Sequence, residues 1–199
     1  MTHILKDEGL FFIIFLEYNK HNMNKSKAIR RICLNAIMLA LFCIVGMFSI
    51  PLGDNIKVSL QLLIVFIICL TMESVIDCLI ITSLYLLLGL FLPFYAGFSF
   101  GVTPTFGYII SFVVISPIVF FLNKIPKLYA PVRMFIACLA GLLVCYAIGT
   151  LFMMLYLEWN LVTTLAVSVL PYIPFDIAKI VIAILVVLVL PTKFIKNDD

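Results

Sequence analysis

The hydrophobic positions of this 199-residue chain fall into long apolar runs, and short segments rich in polar residues, proline or glycine separate them. A helix that crosses a bilayer needs about 17–25 mostly apolar residues. We predict six such helices, and the segment before the last one, 161–172, is apolar but broken by Pro171 and followed by Pro174. The predicted spans cover about residues 32–50, 58–72, 74–92, 104–122 and 134–157, with a sixth that ends near residue 190.

The amino-acid composition indicates that much of this apolar surface lies in lipid. The chain is 65% hydrophobic and only 12% charged, with a mean hydropathy of +1.26, whereas a soluble domain carries about 25% charged residues. A soluble fold of this size has too little interior to bury that surface. We therefore predict an all-α integral membrane protein that passes several times through the lipid bilayer of the cell membrane. The net charge of +3 is small and dispersed, which gives no indication of nucleic-acid binding.

The distribution of lysine and arginine predicts the orientation. Cytoplasmic loops of membrane proteins carry an excess of these residues. With the N-terminus inside, the outside loops hold only Lys57. The inside segments hold Lys25, Lys27, Arg30, Arg31, Lys124, Lys127, Arg133, Lys193 and Lys196. Both termini are therefore predicted to be cytoplasmic, which requires an even number of spans and agrees with six.

The first 22 residues do not fit the pattern of spans. Their apolar run, 10–16, is too short to cross a membrane, and the acidic residues around it are unlike those of a signal peptide. A basic stretch opens at Met23. We interpret residues 1–22 as an N-terminal extension outside the fold, the alternative being a short helix on the membrane surface. Residues 23–199 then form a single membrane domain.

Residue types that support catalysis or metal binding are poorly placed in this chain. The two histidines, His3 and His21, lie in the N-terminal extension, which excludes a Ser-His or Cys-His pair within the membrane. No glycine-rich phosphate loop is present. The six cysteines lie in apolar runs without zinc-ligand spacing, which is typical of small buried hydrophobes; they are Cys33, Cys43, Cys69, Cys78, Cys138 and Cys145. We predict no catalytic residue, metal or cofactor, so that any nucleotide driving transport binds another chain.

Asp176 and Lys179 are ionisable residues near the start of the sixth predicted helix. A charge in a membrane span costs at least about 2.5–3.5 kcal/mol. Their i, i+3 spacing places them on one helix face, in the outer part of the membrane. An acceptor and a cationic donor on one face can hold a polar ligand. The alternative is an ion pair with a purely structural role, but such a pair roughly breaks even against apolar residues of similar size.

Further pocket candidates lie near the predicted outer face. Gln61 is near the outer end of the second span, where the alternative is a bond to a neighbouring helix backbone. Tyr85, Phe94 and Tyr108 are aromatic, and the alternative for them is packing or an interfacial belt. The loop that holds Phe94 and Gly97 is apolar and glycine-hinged. Such a loop suits a flap over a binding site.

Ala36 and Ala40 place two small residues one turn apart in the first predicted helix. Small residues at this spacing let another helix approach closely. The partner is either another part of this chain or a separate subunit.

Taken together, these segments resemble the BioY family, the biotin-binding S components (substrate-capture subunits) of energy-coupling factor (ECF) transporters. The resemblance covers about residues 27–190, and both the order and the spacing of the matching pieces agree. Those pieces are Gln61, Tyr85-Leu86-Leu87-Leu88-Gly89, Pro93-Phe94-Tyr95-Ala96-Gly97, Gly101, Pro104-Thr105-Phe106-Gly107-Tyr108 and Ile173-Pro174-Phe175-Asp176-Ile177-Ala178-Lys179.

The resemblance implies a six-helix S-component fold that binds biotin near the outer face. Asp176 and Lys179 would be its main polar contacts, and the loop after the third helix would close over it. Ala36 and Ala40 match the small residues through which the first helix of such proteins meets a transmembrane coupling subunit. Two ATPase subunits would complete the complex and supply the energy.

The chain departs from the family pattern at three positions. Thr103, Phe106 and Phe175 stand where the family usually has glycine, and bulky side chains beside a pocket would reshape it. One alternative is therefore an S component for another small vitamin or related molecule. Alternatives of other classes are an intramembrane lipid-modifying enzyme and a channel or solitary secondary transporter, the last disfavoured by the lack of an obvious inverted repeat.

Overall fold

The computed structural model describes residues 28–51, 57–126 and 128–189. These residues form seven helices and a two-stranded antiparallel hairpin. In chain order the elements are α1 (Ala28–Met47), β1 (Ser49–Pro51), β2 (Lys57–Ser59), α2 (Gln61–Thr71), α3 (Val75–Phe91), α4 (Phe106–Asn123), α5 (Ala130–Leu157), α6 (Leu161–Ser168) and α7 (Ile173–Val189). The predicted extension, residues 1–22, lies outside the described residues.

The chain divides into two compact units, Met1–Ile37 and Met38–Asp199. The described part of the first unit is the beginning of α1. The second unit contains the rest of α1, both strands, the other six helices and the buried core.

Four predicted spans agree with observed helices to within four residues at each end, namely those of α1, α3, α4 and α5. The second span differs, because residues 57–59 are strand β2 and α2 begins only at Gln61. The segment before the last span, which the prolines marked as broken, forms a short helix of its own, α6, and the last span is α7. Helices α6 and α7 meet at a bend of 50°.

Among the described residues, three helices, α1, α4 and α5, are long and apolar enough to cross a membrane, and the bent pair α6 and α7 raises this number to four if it counts as one span. At 1.5 Å per residue, α2 is only about 16 Å long and α3 about 26 Å. The hydrocarbon core of a bilayer is about 30 Å thick. The predicted number of six spans therefore stays a prediction.

Helix α2 lies at the centre of the second unit. Ten of its 11 residues are buried, and it packs against α3, α4 and α7. A helix that is hydrophobic on all sides is typical of a protein core or of a membrane span, and here protein surrounds it. Val65, Phe66 and Ile68 have no exposed side-chain surface. This packing fixes the direction of Gln61, the first residue of the helix.

Among helices α2 to α7, the most extensive contact joins α4 to α5. A Cβ atom at Gly149 of α5 would collide with the ring of Tyr108. The missing side chain lets that ring lie directly against α5, so glycine at this position determines where Tyr108 points.

The hairpin and the loop between α3 and α4 meet at one end of the second unit. The backbone N–H of Gly97 donates to the carbonyl of Met47 at 2.9 Å, and the rings of Phe48 and Phe98 meet edge to face. In the hairpin, Ser49 lies directly opposite Ser59. The sequence did not predict this hairpin, because Val58 continues the apolar run that leads into α2.

Candidate ligand-binding site

A cavity of about 530 Å³ lies at the end of the second unit where the hairpin and the α3–α4 loop meet. Its volume is within the range of about 300–1,000 Å³ that is common for small-molecule sites. The lining residues come from the hairpin, the loop and helices α2 and α4 to α7. They are Ser49, Ser59, Gln61, Leu62, Ala96, Thr105, Tyr108, Phe112, Cys145, Tyr146, Met153, Val167, Ser168, Tyr172, Asp176 and Lys179.

A buried ion pair forms part of the cavity wall. Nζ of Lys179 donates to Oδ1 of Asp176 at 2.6 Å, and the two residues are only 6% and 5% exposed. Both belong to the first two turns of α7, so their i, i+3 spacing brings the side chains together on the face that the helix turns inward. The ammonium group has three donors and uses one of them on Asp176.

The ion pair is tied to a second helix by Tyr146 of α5. The hydroxyl of Tyr146 donates to Oδ2 of Asp176 at 2.5 Å. A buried tyrosine hydroxyl normally has such a partner, and a bond to a carboxylate is among the stronger ones. Both oxygens of Asp176 therefore accept a short hydrogen bond before any ligand arrives.

Gln61 takes part in a second hydrogen-bonded chain. The hydroxyl of Tyr85 donates its single proton to the carbonyl of Phe94 at 2.8 Å, so it accepts from Nε2 of Gln61 at 2.6 Å. This fixes the orientation of the Gln61 amide and leaves its oxygen as an available acceptor. These two hydrogen bonds connect the cavity wall, at Gln61, to the α3–α4 loop, at Phe94.

That loop is held in a tight turn. The backbone groups of Tyr95 and Ser99 bond to each other, and Ala96 between them lines the cavity. Gly97 and Gly101 have φ angles of +73° and +75°, which glycine adopts at little cost. The glycines therefore allow the chain to fold back over the cavity.

Tyr108 connects α4 to the short helix α6. Its hydroxyl donates to Oγ of Ser168 at 2.9 Å, and Ser168 in turn donates to the carbonyl of Thr164 at 2.8 Å. Tyr108 and Ser168 both line the cavity. This bond places α6 as one wall of the site.

The structure brings together four of the seven residues predicted to bind ligand, since Gln61, Tyr108, Asp176 and Lys179 all line the cavity. The other three lie just outside it. Tyr85 and Phe94 follow Gln61 in the hydrogen-bonded chain, and Gly97 is the neighbour of the lining residue Ala96. Direct ligand contact by any of the seven stays a prediction.

The three departures from the family pattern do not reach the cavity. Thr103, Phe106 and Phe175 are not among its lining residues. Phe106 instead packs against Tyr95 and Phe152. Their effect on the shape of the pocket stays a prediction.

Ala36 and Ala40, the residues predicted to contact a partner, are both exposed on α1. Because each carries only a methyl group, neither position presents a large side chain. Contact with another subunit stays a prediction.

Sequence reasoning missed several lining residues, of which Tyr146 makes the most direct contact with the ion pair. A signal was present, because Tyr146 is one of the few hydroxyl-bearing residues of this mostly apolar 28-residue helix, the others being Thr150 and Tyr156. Such a hydroxyl needs a partner in the membrane interior. The partner itself was not predictable, since Tyr146 and Asp176 are 30 positions apart.

The cavity thus offers both donors and acceptors between apolar walls. Lys179 provides donor capacity and the oxygen of Gln61 provides acceptor capacity, while Leu62, Phe112 and Met153 supply apolar surface. Among residues 28–51, 57–126 and 128–189, no three potential metal ligands are clustered. The arrangement suits recognition of a small molecule with polar groups separated by an apolar part.

A helical membrane protein with a cavity of polar groups between apolar walls at one end is suited to bind a small solute. A sequence model of the BioY family matches residues 19–195, so the chain belongs to the BioY family. That family consists of transporter S components, which confirms that the chain is not an enzyme and removes the lipid-modifying alternative. The chain is accordingly a multi-pass membrane protein.

Two curated relatives cover most of the chain. The "Probable biotin transporter BioY" of Pyrococcus horikoshii is 31% identical over 161 residues, which are 79% of this chain and 93% of the relative. The "Biotin transporter BioY" of Thermotoga maritima is 28% identical over 164 residues, which are 80% of this chain and 94% of the relative.

A solved structure, the S-component for biotin from an ECF-type ABC transporter, matches the fold with a TM-score of 0.73. It is 22% identical, and the match covers 81% of this chain and 90% of that one. The predicted S-component fold is thereby confirmed.

Proposed function

We propose that this chain is the membrane subunit that captures biotin for uptake. The observation that carries the proposal is the cavity itself, which combines a buried ion pair, an oriented glutamine and apolar walls in one space of about 530 Å³. The names of the two curated relatives support biotin as the ligand.

The chemistry of biotin fits these groups. Biotin has a ureido ring with N–H donors and a carbonyl acceptor, an apolar thioether ring and chain, and a carboxylate at the far end. A site for it needs a few placed polar groups in an otherwise apolar pocket. Asp176, Lys179 and Gln61 supply the polar groups, and no cofactor is needed, because biotin is the transported ligand.

We further propose six membrane spans with both termini in the cytoplasm. The excess of lysine and arginine in the predicted inside segments supports this orientation. The hairpin, the α3–α4 loop and the cavity would then face the outside, where the ligand enters.

The energy for transport would come from an ECF module, consisting of a transmembrane coupling subunit and two ATPase subunits. The exposed Ala36 and Ala40 of α1 support a close helix contact with the coupling subunit. Residues 1–22 would take no part in the fold.

The direct test is to purify the chain in detergent without added ligand and to identify co-purifying small molecules by mass spectrometry. We expect biotin, and calorimetry with the ligand-stripped protein should then give saturable, one-site binding. Another vitamin in the purified protein, together with no heat of biotin binding, would instead favour an S component for that molecule.

A further inference from the structure

Tyr146 has a role in the site that goes beyond the ligand contacts proposed above, and this inference rests on the proposed function. Asp176 and Lys179 lie on the same helix, α7, and bond to each other. Tyr146, on α5, makes the only bond from another helix to this pair among the hydrogen bonds of residues 28–51, 57–126 and 128–189.

The bond from Tyr146 determines which hydrogen-bonding capacity remains. Oδ2 of Asp176 accepts from Tyr146 at 2.5 Å and Oδ1 accepts from Lys179 at 2.6 Å. A ligand N–H group at either oxygen would have to share that oxygen with a short bond already present. The ammonium of Lys179, in contrast, retains two donors.

A carboxylate has about four lone-pair sites, and Tyr146 and Lys179 take one on each oxygen, so the cluster presents two unused donors beside a carboxylate of reduced acceptor capacity. We propose that Tyr146 is a specificity-determining residue that makes the ion pair favour an acceptor group of the ligand over a donor or cation. The mechanism is discrimination against the wrong ligand, achieved by taking up part of the acceptor capacity that this ligand would need. Tyr146 acts through Asp176, so it is a positioning residue.

Biotin has two acceptor groups of the required chemistry, the ureido carbonyl and the carboxylate. Two analogues separate them. In 2-iminobiotin the ureido carbonyl is replaced by a cationic donor, and in norbiotinamine an ammonium replaces the carboxylate. The analogue that places its donor at the ion pair should be the one that the Tyr146 hydroxyl excludes.

The experiment measures the affinities of biotin and both analogues by calorimetry for the wild type and for Tyr146→Phe. The variant keeps the ring and frees Oδ2 of Asp176. We expect biotin affinity to fall by about tenfold, as for a lost hydrogen bond to a charged group. The preference for biotin over one of the analogues should fall by at least the same factor.

Tyr156→Phe is the matched control. Tyr156 lies on the same helix, stacks on Phe152 and does not line the cavity. This variant should keep the wild-type affinities and both preferences. If Tyr146→Phe folds poorly in thermal melts, Tyr146→Met removes the hydroxyl with a side chain that adapts to irregular space.

The outcomes are distinct. A reduced preference over either analogue supports the inference and shows which end of biotin meets the ion pair. Unchanged preferences, an equal loss of affinity for all three ligands, or loss of folded protein in both Tyr146 variants would each overturn it. Failure of the wild type to bind biotin would instead contradict the proposed function.

Discussion

The two ends of the second unit place their lysine side chains in different environments. At the cavity end, Asp176 and Lys179 are buried, and the carboxylate of Asp176 accepts from both Lys179 and the half-buried Tyr146. Removing these groups from water is costly, and purely structural needs would be met by apolar residues. A ligand would account for the polar interior of this end, and this role of the ion pair stays a prediction.

At the opposite end, where the α2–α3 and α4–α5 connections lie, the lysine and arginine side chains stay near the surface, although Asp77 of α3 is only 5% exposed. Lys124 is exposed, donates to the carbonyl of Glu73 at 3.2 Å and lies over the ring of Phe120. Arg133 bonds to Asn123 and to the carbonyl of Ile125. Water and lipid headgroups can solvate such groups, so this end needs no cavity. A lysine buried in the cavity wall is thus a candidate for ligand binding, whereas an exposed lysine at the other end needs no such role.

The largest expected effect is in a test of whether the two ends face opposite sides of the membrane. An impermeant reagent either labels a position in intact cells or does not. Single cysteines at Phe100 and Tyr129, both exposed, would be introduced in a background without native cysteines. An impermeant reagent applied to intact cells should label position 100 and not 129. The reverse pattern would show that the cavity faces the cytoplasm.

The largest graded effect should come from the ion pair. Asp176→Asn or Lys179→Met should weaken biotin binding by about ten- to a hundredfold, since a hydrogen bond to a charged group contributes roughly 1.5–3 kcal/mol. Lys124→Met removes a lysine at the other end and should leave affinity unchanged.

The structural alternative for the ion pair makes a different prediction. Both single variants would unfold at lower temperature, and the double variant would regain folding and binding together. Thermal melts alongside calorimetry separate the two interpretations. Well-folded single variants with wild-type affinity would rule out this site.

A smaller effect is expected from Tyr85→Phe. The hydroxyl joins Gln61 to the carbonyl of Phe94, and its loss frees the Gln61 amide to rotate. Binding should weaken by about three- to tenfold, the usual range for a neutral hydrogen bond. The control is Tyr95→Phe, because the hydroxyl of Tyr95 donates to Leu86 and not to a cavity residue. Both variants should melt earlier, yet only Tyr85→Phe should lose affinity; equal affinities would show that the bridge does not orient Gln61.

The smallest effect on binding is expected from α1. Ala36→Leu combined with Ala40→Leu should leave biotin affinity within about twofold, because neither residue lines the cavity, but should block assembly with the coupling subunit. Leu41→Phe adds bulk one position further along α1 and serves as the control, to be compared by co-purification of the subunits. Normal assembly of the double variant would place the interface elsewhere.

The cavity was predictable where its residues are unusual for a membrane span. Asp176 and Lys179 stand out because charges are expensive there, and Gln61 stands out as a lone amide in an apolar run. The spans of α3, α4 and α5 were equally clear, since turn residues and charges mark their ends.

Other features depend on contacts that hydropathy does not record. Val58 would be apolar both in a membrane helix and in a buried strand, so hydropathy could not distinguish the two. The prediction therefore included strand residues 58 and 59 in the second span. Tyr146 resembles a packing aromatic until its partner 30 residues away is known. Ser49 and Ser59 become part of the site only through the strand register that opposes them.

The short length of α2 has a consequence for where a ligand would sit. The helix provides about 16 Å of rise, roughly half of the hydrocarbon thickness, and its first residues, Gln61 and Leu62, line the cavity. A full-length helix in this position would continue through the space that the cavity now occupies. The chain thus creates room for a ligand by beginning the central helix α2 only at Gln61 and covering the gap with a hairpin and a loop.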